Sequence, residues 1–538
     1  MASLAASIAK VGSNTLLSRI LGFVRDLIIA RLFGADAGTD AFFVAFKIPN
    51  FMRRLFAEGA FSMAFVPVLN EYKTQRGFPA LKRFVDDVAG TLGAILLVIT
   101  VLGVLGAPIL VLIFAPGFAD DPGKQLLATD MLRLTFPYLL FISLTALAGG
   151  ILNTYDRFGV PAFTPVLLNL SLIGCALWLA PQMERPIMAL AWGVLIAGIA
   201  QLLFQLPFLH RLRLLPRPRV SPRDAGVRRI VRLMIPALFG VSVTQISLLI
   251  DTLLASFLAT SSISWLYYSD RLMEFPLGIL GVALGTVILP KLSRQHAAQS
   301  PEAFSQTLDW ALRWVLLLGL PAAVGLFVLA GPMIATLFYS GAFSAYDVLM
   351  AERSLMAYAL GLMAFLGVKV LAPGFYSRQD MRTPVRIAVV AMLTNIVFNL
   401  LLMFPLGHAG LALATIIAAS VNALLLLIGL LKQGIYRPLP GWWLLLAKGL
   451  LASLAMGLAL WFLSGPTPFW TVWDLSERLI RLLGLILIGG LCYLLLALAL
   501  GLRPRHLLRM NPAPRPIIDG TGSPNPRTHS HAADSRLA

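Results

Sequence analysis

Charge is scarce in this 538-residue chain: 13% of its residues are Asp, Glu, Lys or Arg, where soluble domains carry about 25%. Hydrophobic residues make up 58%, against roughly 45 to 50% in soluble domains, and a soluble globule of this size is thereby excluded. Acid is the scarcer sign, with 25 Asp plus Glu against 43 Lys plus Arg and a formal net charge of +18. In so apolar a chain that excess points to basic cytoplasmic loops beside a membrane and away from nucleic acid as a partner. The two cysteines, Cys175 and Cys492, each lie inside an apolar run, which excludes a disulfide framework and a thiolate metal site. H-E-x-x-H, G-x-S-x-G and Walker sequences are absent, and His210, His296 and His408 stand isolated. Catalysis by an ATPase or a membrane hydrolase therefore has no residues to rest on, and the expectation is a protein that is not an enzyme. A cleavable signal pattern is missing too, because Lys10, Arg19, Arg25 and Arg31 interrupt the first apolar stretch, so that stretch is expected to stay as a helix.

What the chain has instead is length without charge. A bilayer core about 30 Å thick takes about 20 residues of helix. Windows 88–119, 134–155, 158–183, 186–209, 314–346, 449–473 and 482–502 contain no Asp, Glu, Lys or Arg, and 387–431 supplies two more spans divided at Pro405-Leu406-Gly407-His408. With 354–374 and four charged apolar segments, about 12–33, 38–66, 233–258 and 262–290, the sequence predicts an all-α polytopic membrane protein of about fourteen transmembrane helices.

Basic loops follow spans 2, 6, 10 and 12: Lys73, Arg76, Lys82 and Arg83, then eight arginines in 211–232, then Arg378, Arg382 and Arg386, then Lys432 and Arg437. The loops between hold Asp120, Asp121, Asp130, Asp347, Glu352, Asp474 and Glu477. That alternation places both termini in the cytoplasm. Residues 503–538 are rich in Pro, Arg, His and Ser and read as a disordered cytoplasmic tail.

The segment Gly59 to Leu69 parallels Gly281 to Lys291, with Pro67 and Pro290 separated by 290 − 67 = 223 positions. Six spans fit that period, so both halves enter the membrane from the same side and a substrate site is expected between them. The division that follows is a first lobe at 1–211, a basic linker at 212–232, a second lobe at 233–437, and two further helices at 438–502.

Charges gather in the first two spans of each half. Span 1 holds Arg19, Arg25, Asp26 and Arg31; span 2 holds Asp40, Lys47, Arg53, Arg54 and Glu58; span 7 holds Asp251; span 8 holds Asp270, Arg271 and Glu274; Lys369 is the exception elsewhere. Two readings stand. In one the charges only pair, Arg19 with Asp26 seven residues on and Arg271 with Glu274 at i, i+3. In the other the excess of six basic over three acidic residues in spans 1 and 2 lines a cationic cavity for an anion, and guanidinium forks suit a diphosphate. Pro49 and Pro276 are expected to free backbone carbonyls toward that cavity or merely to shape packing. Asp251 fits a sodium or proton site, and fits equally a hydrogen bond to a polar neighbour.

Long stretches then match a known family. Ser18-Arg19-Ile20-Leu21-Gly22-Phe23-Val24-Arg25-Asp26, Thr39-Asp40-Ala41-Phe42-Phe43-Val44-Ala45-Phe46-Lys47-Ile48-Pro49-Asn50, Arg53-Arg54-Leu55-Phe56-Ala57-Glu58-Gly59 and Tyr267-Tyr268-Ser269-Asp270-Arg271-Leu272-Met273-Glu274-Phe275-Pro276 resemble the MurJ (MviN) family of lipid II flippases, over residues 1 to about 502. The resemblance implies a fourteen-helix member of the multidrug/oligosaccharidyl-lipid/polysaccharide exporter superfamily in a bacterial inner membrane. It implies transport of the lipid-linked peptidoglycan precursor, with membrane lipids and the cell wall synthesis machinery as partners. Family essentials map by motif onto Arg19, Arg25, Asp40, Arg53 and Arg271, with Glu274 beside them, and the last two helices are expected to form a groove for the lipid tail. The nearer rivals are a cationic-drug exporter, whose cavity would be dominated by carboxylates, and a flippase for another lipid-linked oligosaccharide. The rival from another class is a membrane scaffold.

No cofactor is expected beyond a coupling cation, sodium or proton, and the membrane potential. A diphosphate carries about two negative charges, so an inside-negative 100 mV favours its outward movement by about 4 to 5 kcal/mol. On that ground Asp251→Asn is expected to be tolerated.

Overall fold

A computed structural model describes residues 2–54 and 61–502. The first lobe comprises α1 (Ala2–Phe33), α2 (Ala37–Met52), α3 (Ser62–Gln75), α4 (Gly77–Leu105), α5 (Ala107–Phe114), α6 (Pro122–Thr135), α7 (Tyr138–Thr154), α8 (Gly159–Gly174) and α9 (Met188–Arg211). The second comprises α10 (Ala225–Ala255), α11 (Ser262–Ala297), α12 (Pro301–Val328), α13 (Ala330–Phe338), α14 (Ala345–Leu360), α15 (Leu362–Tyr376), α16 (Arg382–Leu406) and α17 (His408–Lys432). A C-terminal pair, α18 (Trp442–Ser464) and α20 (Leu475–Ala499), is joined through the short α19 (Thr467–Trp470). Among the described residues there is no strand.

Among the described residues ten helical segments are long and apolar enough to cross a membrane, and the bent pair α14 and α15 makes eleven. The remaining sequence spans are those that carry charge, and they fold as α1, as α2 with α3, and as α10. The fold is thus consistent with about fourteen crossings. Apolar windows alone misplace some breaks: 88–119 is interrupted at Gly106 and 314–346 at Leu329. At the first, Pro108 sits in the opening turn of α5, where a missing N–H costs nothing. The polar tail and Glu58 lie outside the described residues.

The molecule has two ends. At the linker end, chain from 217 to 221 lies along α4: Arg217 N donates to Asp86 Oδ1 at 2.7 Å, Arg219 N to Asp86 O at 3.1 Å and Ser221 N to Thr91 Oγ1 at 3.0 Å. The approach is so close that a Cβ on Gly90 would lie 2.2 Å from Arg219 N. At the opposite end the lobes grip each other. Arg31 donates to the Leu337 and Thr336 carbonyls at the C-terminus of α13, at 3.0 and 3.3 Å, and Ser340 Oγ donates to Arg31 O at 3.0 Å.

The C-terminal pair is fastened to the second lobe. Buried Asp309 on α12 accepts from Tyr436 Oη, Trp442 Nε1 and Leu439 N at 2.9, 2.8 and 3.1 Å. Burial and the adjacent Asp309 carboxylate push the Tyr436 phenol well above its ordinary range. Arg478 on α20 donates to Ala335 O of α13 at 2.6 Å, and Tyr493 Oη to Leu317 O of α12 at 2.7 Å.

Candidate functional site at the seam of the lobes

Arg25 and Asp26 are neighbours on α1, and Asp26 is fully buried. A lone buried carboxylate is costly unless every lone pair finds a donor. Asp26 Oδ1 accepts from Arg25 Nε and Nη2 at 2.9 and 2.7 Å and from Tyr267 Oη at 3.0 Å, while Oδ2 accepts from Arg271 Nε at 2.6 Å. Tyr267 and Arg271 belong to α11, one turn apart, so one carboxylate of the first lobe holds two side chains of the second. Arg25 also donates to Asn169 Oδ1 on α8 at 3.0 Å, and Arg271 to Glu274 Oε2 at 2.9 Å. The expected i, i+3 pair on α11 is therefore present.

The expected pairing of Arg19 with Asp26 is replaced. Asp26 is saturated by Arg25, Tyr267 and Arg271, and Arg19 crosses to α11 instead. A Cβ on Gly278 would lie 2.6 Å from Arg19 Nη1, so the guanidinium rests on bare backbone. Arg19 is exposed and makes no ion pair among the described residues.

Asp40 stands apart from this cluster, in the first turn of α2 at the end opposite the linker. It accepts from Lys124 Nζ at 2.9 Å, from Ser261 N and Ser264 N at 2.8 and 2.9 Å, and from Ser264 Oγ at 2.6 Å. Those amides are the orphan donors at the start of α11, so Asp40 caps a helix of the other lobe. Arg53 donates to Asn50 Oδ1 at 3.0 and 2.8 Å on its own helix. Lys47 bridges the lobes by a hydrogen bond to Thr252 Oγ1.

Pro49 frees the Ala45 carbonyl, as any helical proline frees the carbonyl four residues before it. One of the two readings of this proline turns that oxygen toward the cavity, and the other leaves it to packing. It is taken by Thr135 Oγ1 of α6 at 2.9 Å, inside the first lobe, because a buried carbonyl is satisfied by the nearest hydroxyl.

Asp251 realises the hydrogen-bond reading: Asn399 Nδ2 donates to it at 2.7 Å, and to Asn395 Oδ1 at 3.0 Å. Asn395 reaches Thr415 Oγ1 at 3.4 Å. The fully buried Asn399 keeps an Oδ1 with no hydrogen-bond partner.

Asn169, Lys124, Asn395 and Asn399 had escaped attention in the sequence. The signal for the asparagines was there, as amides inside charge-free spans. Lys124 carried none, since its short helix precedes the apolar window.

The family model "Lipid II flippase MurJ" matches residues 29–481. A "probable lipid II flippase MurJ" of Haemophilus influenzae is 48% identical over 510 residues, covering 92% of this chain and all of that one. The chain belongs to the lipid II flippase MurJ family. Among solved structures, "Lipid II flippase MurJ, inward closed conformation" aligns with a TM-score of 0.77 at 28% identity, over 93% of this chain and 99% of that one. An inward-facing multidrug-resistance transporter of the MATE family, in the MOP superfamily, aligns with a TM-score of 0.65 at 14% identity, over 78% and 95% of the two chains. That likeness is one of fold. As a MurJ-family member the chain is a multi-pass transporter rather than an enzyme.

Proposed function

We propose that this chain carries lipid II, a lipid-linked diphosphate, from the cytoplasmic to the periplasmic leaflet of a bacterial inner membrane. The two lobes alternate access to a cationic site at their seam, and no bond is made or broken. The linker end, with its eight arginines in 211–232, faces the cytoplasm with both termini, and the gripped end faces the periplasm. The observation that carries the reading is the Arg25–Asp26–Arg271 cluster shared by α1 and α11, with Arg19 lying alongside. Guanidinium groups held at a lobe boundary by one carboxylate are positioned to exchange it for phosphate oxygens. The Asp40 and Arg31 contacts would have to break for the periplasmic end to open.

Expression of the chain in a strain depleted of its own flippase tests this. Arg19→Ala, Arg25→Ala, Arg53→Ala and Arg271→Ala should each abolish growth rescue, with membrane levels near wild type. Rescue by these variants would overturn the cationic site.

A second reading attaches to Asp251, favoured by the orphaned Asn399 oxygen. One carboxylate, two amide oxygens and the Thr415 hydroxyl are hard oxygen donors of the kind a sodium ion takes. Asp251, Asn395, Asn399 and Thr415 would hold it, and the bound ion would supply positive charge within the second lobe. Sodium should then raise the thermal stability of the wild type and leave Asp251→Asn unmoved. An equal response in both would leave the membrane potential as the driving force by itself.

A further inference from the structure

Where the linker lies on α4, two adjoining cavities of about 350 and 540 Å³ open at the cytoplasmic end and share Asp87 and Asp224. Asp87 is 5% exposed and its Oδ1 makes no hydrogen bond. Its one ion-pair partner among the described residues is Arg219, whose Nε stands 3.9 Å away, beyond hydrogen-bond reach. Asp224 is already committed, capping α10 through Gly226 N and Val227 N at 2.8 and 3.1 Å. A buried carboxylate oxygen without a donor is expensive to leave so, and Asp87 lines both cavities.

Asp224 apart, the other charged residues of the lining have the opposite sign. Arg76 and Arg83 line the first cavity and Arg223 the second. Arg83 and Arg223 are exposed and make no ion pair among the described residues. Deep acid and peripheral guanidinium groups together select against a simple anion, which Asp87 repels, and against a simple cation, which the arginines repel. They fit a molecule carrying both charges a few ångströms apart.

Depth supplies the remaining constraint. Asp87 is the last charged residue before the charge-free run 88–119, and the linker reaches down to Thr91 within that run. The cavities therefore lie at the level where the apolar layer begins, among phospholipid headgroups.

We propose that this site binds a phosphoethanolamine group, a phosphodiester carrying a primary ammonium, as the headgroup of a membrane lipid. The ammonium donates to Asp87, and the phosphate lies against Arg83, Arg76 and Arg223. It is a structural lipid site on the linker, separate from the seam between the lobes.

Native mass spectrometry of the full chain in detergent tests it, with phosphatidylethanolamine, phosphatidylcholine and phosphatidylglycerol as probes and soluble glycerophosphoethanolamine as competitor. One phosphatidylethanolamine should be retained about tenfold or more above phosphatidylcholine, whose trimethylammonium has no N–H to donate, and above phosphatidylglycerol. Asp87→Asn should lower that retention to the phosphatidylcholine level. Arg83→Ala, at an exposed position that leaves folding intact, should lower it with Asp87 still in place. Competition by glycerophosphoethanolamine would make the headgroup sufficient; preference without competition would assign binding to the lipid form. Equal retention of phosphatidylethanolamine and phosphatidylcholine, or undiminished preference in Arg83→Ala, would overturn the proposal.

Discussion

The first helix of each lobe meets the corresponding later helix through asparagine, and the two meetings carry opposite charge. In the first lobe Arg25 of α1 donates to Asn169 of α8. In the second Asp251 of α10 accepts from Asn399 of α16. The cation is drawn out of its lobe, since Asp26 ties it to Tyr267 and Arg271 across the seam. The anion stays inside its lobe, in a chain of amides that ends on Thr415. The two crossings thus share an amide and differ in chemistry. One meeting serves the boundary between lobes and the other the interior of one lobe.

The comparison breaks most readily at Asp26. Asp26→Asn leaves two guanidinium groups without their shared counter-charge, and removal of one partner from a buried ion network costs about 3–5 kcal/mol. We expect a large fall in thermal stability in detergent together with loss of growth rescue. A stable, active variant would show that the seam does not depend on the carboxylate. Asn169→Ala and Asn399→Ala sharpen the contrast at about 1–3 kcal/mol each, the cost of a stranded buried polar group. The first should lower stability whatever the salt, and the second should also erase the response to sodium. Identical salt dependence in the two would mean that the lobes do not differ as described. The smallest structural effect is expected from Gly278→Ala, whose new methyl group displaces only the mobile tip of Arg19. Its thermal stability should stay close to that of the wild type while transport falls, and full transport would detach Arg19 from the site.

Charge-free windows made most spans legible, because the bilayer imposes one length on every crossing. They could not place the breaks at Gly106 and Leu329, where apolar sequence continues through the turn. The arginines themselves were legible as charges out of place in the membrane, and the i, i+3 neighbour of Arg271 was found correctly. Partners across the seam were not. Asp26 and Arg271 are 245 positions apart, and within α1 the periodicity offered only Arg19. Asp40 looked like one more cavity residue, because sequence shows its charge but not the helix start from another lobe that comes to rest on it. Asn169 and Asn399 were passed over because a neutral amide does not interrupt a hydropathy window, although inside a membrane it needs a partner nearly as much as a charge does.

The anchorage of α18 and α20 bears on how many bodies this protein contains. Asp309, Arg478 and Tyr493 tie the C-terminal pair to α12, α13 and the segment before Trp442, all on the second lobe. If the lobes rock as proposed, the C-terminal pair travels with the second lobe as one body. Any cleft between that pair and the second lobe would then keep its shape throughout the motion. Arg31 of the first lobe touches the same helix end that Arg478 holds from the other side, so breaking the Arg31 contacts would leave that helix end still anchored to the C-terminal pair.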